Sequence, residues 1–299
     1  MSEGLITGFE RRRLPGHGIE IDVLVGGSGP PLLLLHGYPQ TRLAFRAVAP
    51  SLSKHFTVVI PDLRGYGRSD KPIGDGRHDL YSKRTMALDQ IATMQALGFS
   101  SFHVAGHDRG ARVAYRLALD HPNAVDSVIV LDIIPTLDVW KRAEASAAVT
   151  SFHWYLLAQP NPVPETLIGA DPDFFARHLL QQWAAPGFSF DPTSLTDYIE
   201  SFRNPASIHA TCEDYRAGWT RDREADAADR GNQKIQAPLL TLWGRDYGVA
   251  KSHPLETWRE WATDVTGQEL PCGHFLCEEA PDQTTRACLE FLHAKTKPR

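Results

Sequence analysis

Short apolar runs separated by longer amphipathic stretches set the layout of this chain. Pro31–Leu35 and residues 56–60, 127–131 and 239–243 are rich in Leu, Val and Ile and are bounded by turn residues. Such runs read as parallel strands buried on both faces. Residues 19–25, closed by Gly26-Gly27-Ser28-Gly29-Pro30, and the short run 268–270 are further strand candidates, and 102–105 is a partly apolar one. Residues 79–97 and 111–118 read as helices. Strands alternating with helices predict an α/β fold, a mostly parallel sheet with helices on both faces. The alternation breaks between about Ile134 and Asn232, where Trp, Tyr, His and Pro accumulate and 173–183 and 194–202 carry helical patterns. The expected organisation is therefore a core of residues 1–133 and 233–299 with an inserted helical cap at 134–232. The charged stretch 213–231 is expected to end the cap as a solvated helix.

Composition fits this layout. At 299 residues the chain is long enough for one large core plus a smaller inserted domain. A formal net charge of -5 gives no basic footprint for nucleic acid. The longest aliphatic run, residues 32–35, is far too short to span a bilayer. The opening MSEGLITGFERRRL has an early Glu and no apolar segment of the kind that leads a secreted chain. Cys212, Cys272, Cys277 and Cys288 lack any C-x-x-C or His-rich spacing. The expectation is reduced thiols in a cytoplasmic protein, with no zinc site.

The densest chemistry lies in residues 102–115, FHVAGHDRGARVAY. A strand, then Gly106-His107-Asp108-Arg109-Gly110, then a helix is the nucleophile-elbow pattern of α/β-hydrolases with Asp in place of Ser. A carboxylate nucleophile attacks carbon and becomes an ester that water must cleave. That chemistry suits displacement of a halide or opening of an epoxide. His274, after the last strand candidate, stands where the chain order nucleophile, acid, histidine puts the base. Asp132 and Asp246 both follow strands, and spacing leaves either one to orient His274. The backbone N–H groups of Tyr38 and Arg109 are the expected oxyanion donors. Arg109 and Arg112 are three apart on the elbow helix and so are neighbours. Paired guanidinium groups suit bidentate binding of a carboxylate, and a buried Arg is costly without an anionic partner.

With these residues in place, the chain resembles the haloacetate dehalogenases of the α/β-hydrolase fold, and within them the fluoroacetate dehalogenases. The resemblance rests on His36-Gly37-Tyr38-Pro39-Gln40, DLRGYGRSDKP from Asp62, GHDRGARVAYRLALDHP from Gly106 and Leu131-Asp132-Ile133-Ile134-Pro135-Thr136. It continues through His153-Trp154-Tyr155, Cys212-Glu213-Asp214-Tyr215-Arg216-Ala217 and Gly273-His274-Phe275, nearly the whole chain. The first two motifs are widespread in the superfamily. The D-R-x-x-R pair with the His-Trp and the later Tyr is more specific. The resemblance implies hydrolysis of a small 2-haloacid, such as fluoroacetate, through an aspartyl ester and without a cofactor. It implies Asp108 as nucleophile, His274 as base, Asp132 as its partner and Arg109 and Arg112 as carboxylate ligands. It further implies His153, Trp154 and Tyr215 as halide ligands, and a homodimer. Tyr38 stands where relatives resemble Phe, and Asp246 where epoxide hydrolases of this fold carry their acid. An epoxide hydrolase using Tyr155 and Tyr215 is the rival reading, and it leaves the two arginines without a partner. A non-catalytic protein that binds a small acid is a second rival, and it leaves the Asp108 and His274 pair without a use.

Overall fold

A computed structural model describes residues 6–142 and 145–295 of the chain. The strands are β1 (Phe9–Pro15), β2 (Glu20–Gly26), β3 (Pro31–Leu35), β4 (Thr57–Pro61), β5 (Phe102–His107), β6 (Val125–Leu131), β7 (Leu239–Gly244) and β8 (Val265–Leu270). They form one eight-stranded sheet in the order β1-β2-β4-β3-β5-β6-β7-β8. β2 is antiparallel to both β1 and β4, and the strands from β4 to β8 are parallel. Every residue of β3 and β5 is buried, as central strands covered on both faces require. Register then decides where the chemistry collects. Leu35 pairs with Gly106, His107 with Leu131, and Leu131 with Leu242, while Gly244 pairs with Leu270. The residues that follow these pairs, His36, Asp108, Asp132 and the loop bearing His274, therefore emerge side by side at the carboxyl edge, where open α/β sheets bind ligands.

Between Asp132 and Gly231 the described residues form helices, turns and loops and no strand. Helices Pro172–Trp183, Pro192–Phe202 and Pro205–Ala217 each begin with Pro, and Asp171, Asp191 and Asn204 cap them by accepting first-turn N–H groups. A side-chain cap there is worth roughly 0.5–2 kcal/mol, and Pro at the first position sacrifices only an N–H that has no helical acceptor.

The structure departs from the expected elements in three places. β1, FERRRLP, has no apolar run and escapes the pattern because it is an edge strand paired only with β2, so its charges face water. The expected helix 79–97 is split at Ser82, which follows a short 3-10 turn and caps the helix Lys83–Ala96. The stretch 213–231, expected to be solvated, is largely inward-facing: Glu213, Asp214, Arg216, Asp222 and Asp226 are buried. Its acids meet cations there, Asp214 with Lys83 and Arg109, Glu213 with Arg216 and Asp226 with Arg116. Buried charge is sustained by such pairing.

Candidate active site

Asp108 sits on the turn between β5 and the elbow helix Arg109–Asp120 with φ 44° and ψ -114°, a strained conformation for a residue with a side chain. The flanking glycines let the turn close. A Cβ on Gly110 would lie 2.2 Å from the Leu35 carbonyl oxygen, and one on Gly106 would lie 2.5 Å from the Ala111 nitrogen. No larger residue fits either position without moving the backbone. The Tyr38 N–H donates to Asp108 Oδ2 at 3.0 Å. The structure forms no hydrogen bond from the Arg109 N–H to that carboxylate. As the first residue of its helix, Arg109 has no intrahelical acceptor for that N–H.

His274 Nδ1 lies 2.5 Å from Asp132 Oδ2, and Asp132 Oδ1 accepts the Gly244 N–H at 2.9 Å. With Nδ1–H donated to Asp132, the tautomer leaves the Nε2 lone pair free. Asp246 is partly exposed and pairs with Arg245, its own neighbour, at 3.4 Å. The geometry thus puts Asp132 on the imidazole and Asp246 at the surface. The His274 loop is fastened from below by Glu279, which accepts the N–H groups of Gly273, Phe275 and Ala185, each at 2.8 Å. Burial depresses the proton affinity of His274, but its hydrogen bond to Asp132 and the charges of Asp132 and Asp108 outweigh that and raise it. Burial pushes the Asp108 carboxyl up, and the charges of His274, Arg112 and Arg109 bring it below the ordinary value. At neutral pH Asp108 is ionised.

The two arginines have different surroundings. Arg109 is fully buried and already paired. It donates to Asp214 Oδ1 at 2.6 Å, to Oδ2 at 3.1 Å and to the Asp214 carbonyl at 2.8 Å. Asp214 also accepts from Lys83 and, at 2.7 Å, from the Tyr66 hydroxyl. The expectation that both buried arginines need an external anion is therefore corrected: a protein carboxylate neutralises Arg109, leaving only Nη1 without a partner. Arg112 differs. Its Nη1 donates to the Ile134 carbonyl and Thr136 Oγ1 at 3.2 and 3.0 Å, its Nε has no partner, and among the described residues no acidic side chain pairs with it. Burial and the charge of Arg109 both disfavour its charged form, and Asp108 opposes them. It is a buried cation without an acidic hydrogen-bond partner among the described residues, supported only by the nearby charge of Asp108.

Aromatic side chains enclose the other side. Tyr215 lies with its ring 5.8 Å from His153, 5.6 Å from Trp154 and 5.4 Å from Tyr38. The Arg109 guanidinium stands 4.2 Å from the Tyr215 ring, and that of Arg112 stands 4.7 Å from Trp154. His153 Nδ1 and the Tyr38 hydroxyl are buried without partners, and no hydrogen bond is formed by the Trp154 indole N–H or the Tyr215 hydroxyl among the described residues. Burial lowers His153 to about 3, so its imidazole is neutral. Tyr155 turns instead toward Trp140, at 5.6 Å.

The profile of the alpha/beta hydrolase fold matches residues 30–281. The chain is 46% identical over 290 residues to a fluoroacetate dehalogenase from Burkholderia sp, covering 96% of this chain and 95% of that one. The chain belongs to the α/β-hydrolase family. This α/β-hydrolase is also 32% identical to a soluble epoxide hydrolase from Corynebacterium sp. (strain C12), over 92% of its own length and 94% of the relative's. A solved structure from Nostoc sp PCC 7120, described as an alpha/beta hydrolase, superposes with a TM-score of 0.94 at 49% identity, covering 96% of this chain and 98% of that one.

Sequence reasoning missed several residues around the site of this α/β-hydrolase. Lys83 and Asp214, which fix Arg109, lie far apart in the chain and look like ordinary helix charges. Glu279 left a readable signal, since two acids, Glu278 and Glu279, lie in the short helical turn just after His274. Trp183, whose carbonyl accepts the His274 N–H at 3.0 Å and whose ring lies 4.5 Å from His153, sits at the end of a helix that reads as packing alone.

Proposed function

We propose that this α/β-hydrolase converts small 2-haloacids, fluoroacetate among them, to 2-hydroxyacids and halide. The observation that carries the reading is Arg112, a buried guanidinium with no acidic partner beside a carboxylate nucleophile. A substrate carboxylate supplies the missing anion and sets the α-carbon against Asp108. Arg109 Nη1 is available as a second donor, and the helical stretch 134–232 acts as the cap that closes over the substrate.

An Asp108 oxygen attacks the α-carbon, the carbon–halogen bond breaks, and halide leaves with the bonding electron pair. His153, Trp154 and Tyr215 offer N–H and O–H donors to the departing ion, which counts most for fluoride because its charge is compact. The product of this step is an ester of Asp108. His274 Nε2 then takes a proton from water, the hydroxide adds to the Asp108 carbonyl, and the resulting oxyanion rests against the Tyr38 N–H. Collapse expels the glycolate oxygen, which takes the proton from His274, so the hydroxyacid leaves and Asp108 and His274 are regenerated. Asp132 holds the imidazole and stabilises the imidazolium that forms.

The test is ion chromatography of halide released from fluoroacetate and chloroacetate, with styrene oxide hydrolysis measured beside it. Halide release that disappears in Asp108→Ala supports the proposal. One observation favours the second reading, an epoxide hydrolase: the Tyr38 and Tyr215 hydroxyls are neighbouring proton donors without partners. Diol formation without halide release would select it.

A further inference from the structure

Behind the base lies a buried chain of polar groups that the proposed reaction does not use. His107, next to Asp108, has Nε2 2.8 Å from the main-chain oxygen of His274 and Nδ1 3.1 Å from Gln40 Oε1. Gln40 Nε2 lies 2.5 Å from Glu278 Oε2, and Glu278 Oε1 accepts the Tyr198 hydroxyl at 3.1 Å. His107 and Gln40 are buried, and the small cavity of Gln40, Phe45, His107, Phe275 and Glu278 encloses the contacts.

The proton count of this chain follows from donor and acceptor rules. A carbonyl oxygen only accepts, so His107 Nε2 carries a hydrogen. If His107 is neutral, its Nδ1 is then an acceptor and needs a donor from Gln40. The two ends of an amide are alike in shape, so the hydrogen-bond network decides which faces which. The NH2 end of Gln40 must meet His107, and its oxygen must meet Glu278. Two oxygens cannot bond unless one carries a hydrogen, so Glu278 supplies it. The alternative is a doubly protonated His107 and an ionised Glu278, with the amide oriented as in the structure, whereas the neutral arrangement turns it over. That places a buried imidazolium 4.5 Å from the His274 ring. Burial opposes it at both ends, driving Glu278 well above the ordinary carboxylate range and His107 down to about 3.

We infer that Glu278 is a positioning residue in its protonated form. It donates to Gln40, Gln40 donates to His107, and His107 donates to the backbone of His274, tying the strand of the nucleophile to the loop of the base. A neutral His107 also leaves His274 as the one imidazole of this pair that takes up a proton. The functional half of the inference rests on reading His274 as the base.

Two measurements test it. In 15N-histidine-labelled wild type at neutral pH, NMR should show His107 with one protonated nitrogen, Nε2, and a pyridine-like Nδ1. Two protonated nitrogens would overturn the proton assignment, and this readout stands whether or not halide is ever released. In the second, Glu278→Gln presents an NH2 to Gln40 and an oxygen to Tyr198, so kcat for fluoroacetate should stay within about twofold, whereas Glu278→Leu should lower kcat roughly tenfold with KM little changed. Equal loss in both variants would show that Glu278 acts as an anion. A Glu278→Leu enzyme with unchanged kcat would remove the positioning role.

Discussion

Asp108 and His274 are electrostatically linked, and in the proposed cycle the link changes sign of purpose between the two steps. The Asp108 charge helps to raise the proton affinity of His274. Once Asp108 is an ester, that charge is gone and His274 gives up its proton more readily, as a base for water requires. Asp108→Asn imitates the uncharged state, so the His274 NMR titration midpoint should fall relative to wild type; a midpoint unchanged or higher would contradict the coupling. The two arginines should also separate under mutation. Arg112→Lys keeps the charge and loses the planar fork, so kcat/KM for fluoroacetate should fall roughly ten- to a hundred-fold. Arg109→Lys should lower the melting temperature more than Arg112→Lys does, because it dismantles the forked contact with Asp214. Equal melting temperatures would mean that the Asp214 contact contributes little. At this scale the placing of Asp108 on the elbow and of His274 at the same edge of the sheet was legible in the sequence, because the turn chemistry of Gly106 and Gly110 and the chain order point to them. The division of labour between the arginines was not. Spacing shows that two side chains are neighbours and says nothing of a distant carboxylate that claims one of them.

Among the elements, the turn after helix Pro205–Ala217 shows how local preference and the site compete. Gly218–Asp222 is a π-helical turn, a widened form that often occurs at functional positions. Gly218 has ordinary helical angles, φ -59° and ψ -39°, so Ala there should favour the helix by about 1 kcal/mol. A Cβ at that position would, however, lie 3.2 Å from Arg109 Nη2. Gly218→Ala should therefore leave stability within about 1 kcal/mol of wild type in urea unfolding while KM for the haloacid rises as Arg109 is displaced. A KM that stays constant would show that the guanidinium has room to yield. The buried strands could be read directly, since β3 is a continuous apolar run and β7 is interrupted only by Thr241 before its closing Gly. β1 could not, because an edge strand needs no apolar face and its Arg11 pairs with Asp22 at 2.6 Å across to β2. The inward turn of 213–231 was equally hidden, since the pattern of charges is the same for a solvated helix and for one whose acids each find a buried cation.

On the scale of the whole molecule, Asp214 is where the helical stretch and the sheet layers are fastened together. It collects Lys83 from the start of one core helix, Arg109 from the elbow and Tyr66 from the loop after β4. Asp214→Ala should cost roughly 3–5 kcal/mol in urea unfolding, because it strands the buried Arg109 and leaves Lys83 only Asp222, at 3.6 Å. A loss under 1 kcal/mol would mean that water or another acid replaces it. Arg112 has a consequence of the opposite kind. A buried cation offset only by the nearby Asp108 charge is a debt carried by the resting enzyme, so Arg112→Met should cost far less stability than Asp214→Ala. For the same reason, a carboxylate with nothing to expel should settle the debt without being consumed. Acetate is the simplest one: it should compete with fluoroacetate and raise the melting temperature of the wild type, by the equivalent of about 2.7 kcal/mol at a hundred times its dissociation constant. It should leave Arg112→Met unmoved. On the proposed reading, the site recognises a small carboxylate first, and the halogen decides only whether that carboxylate leaves unchanged.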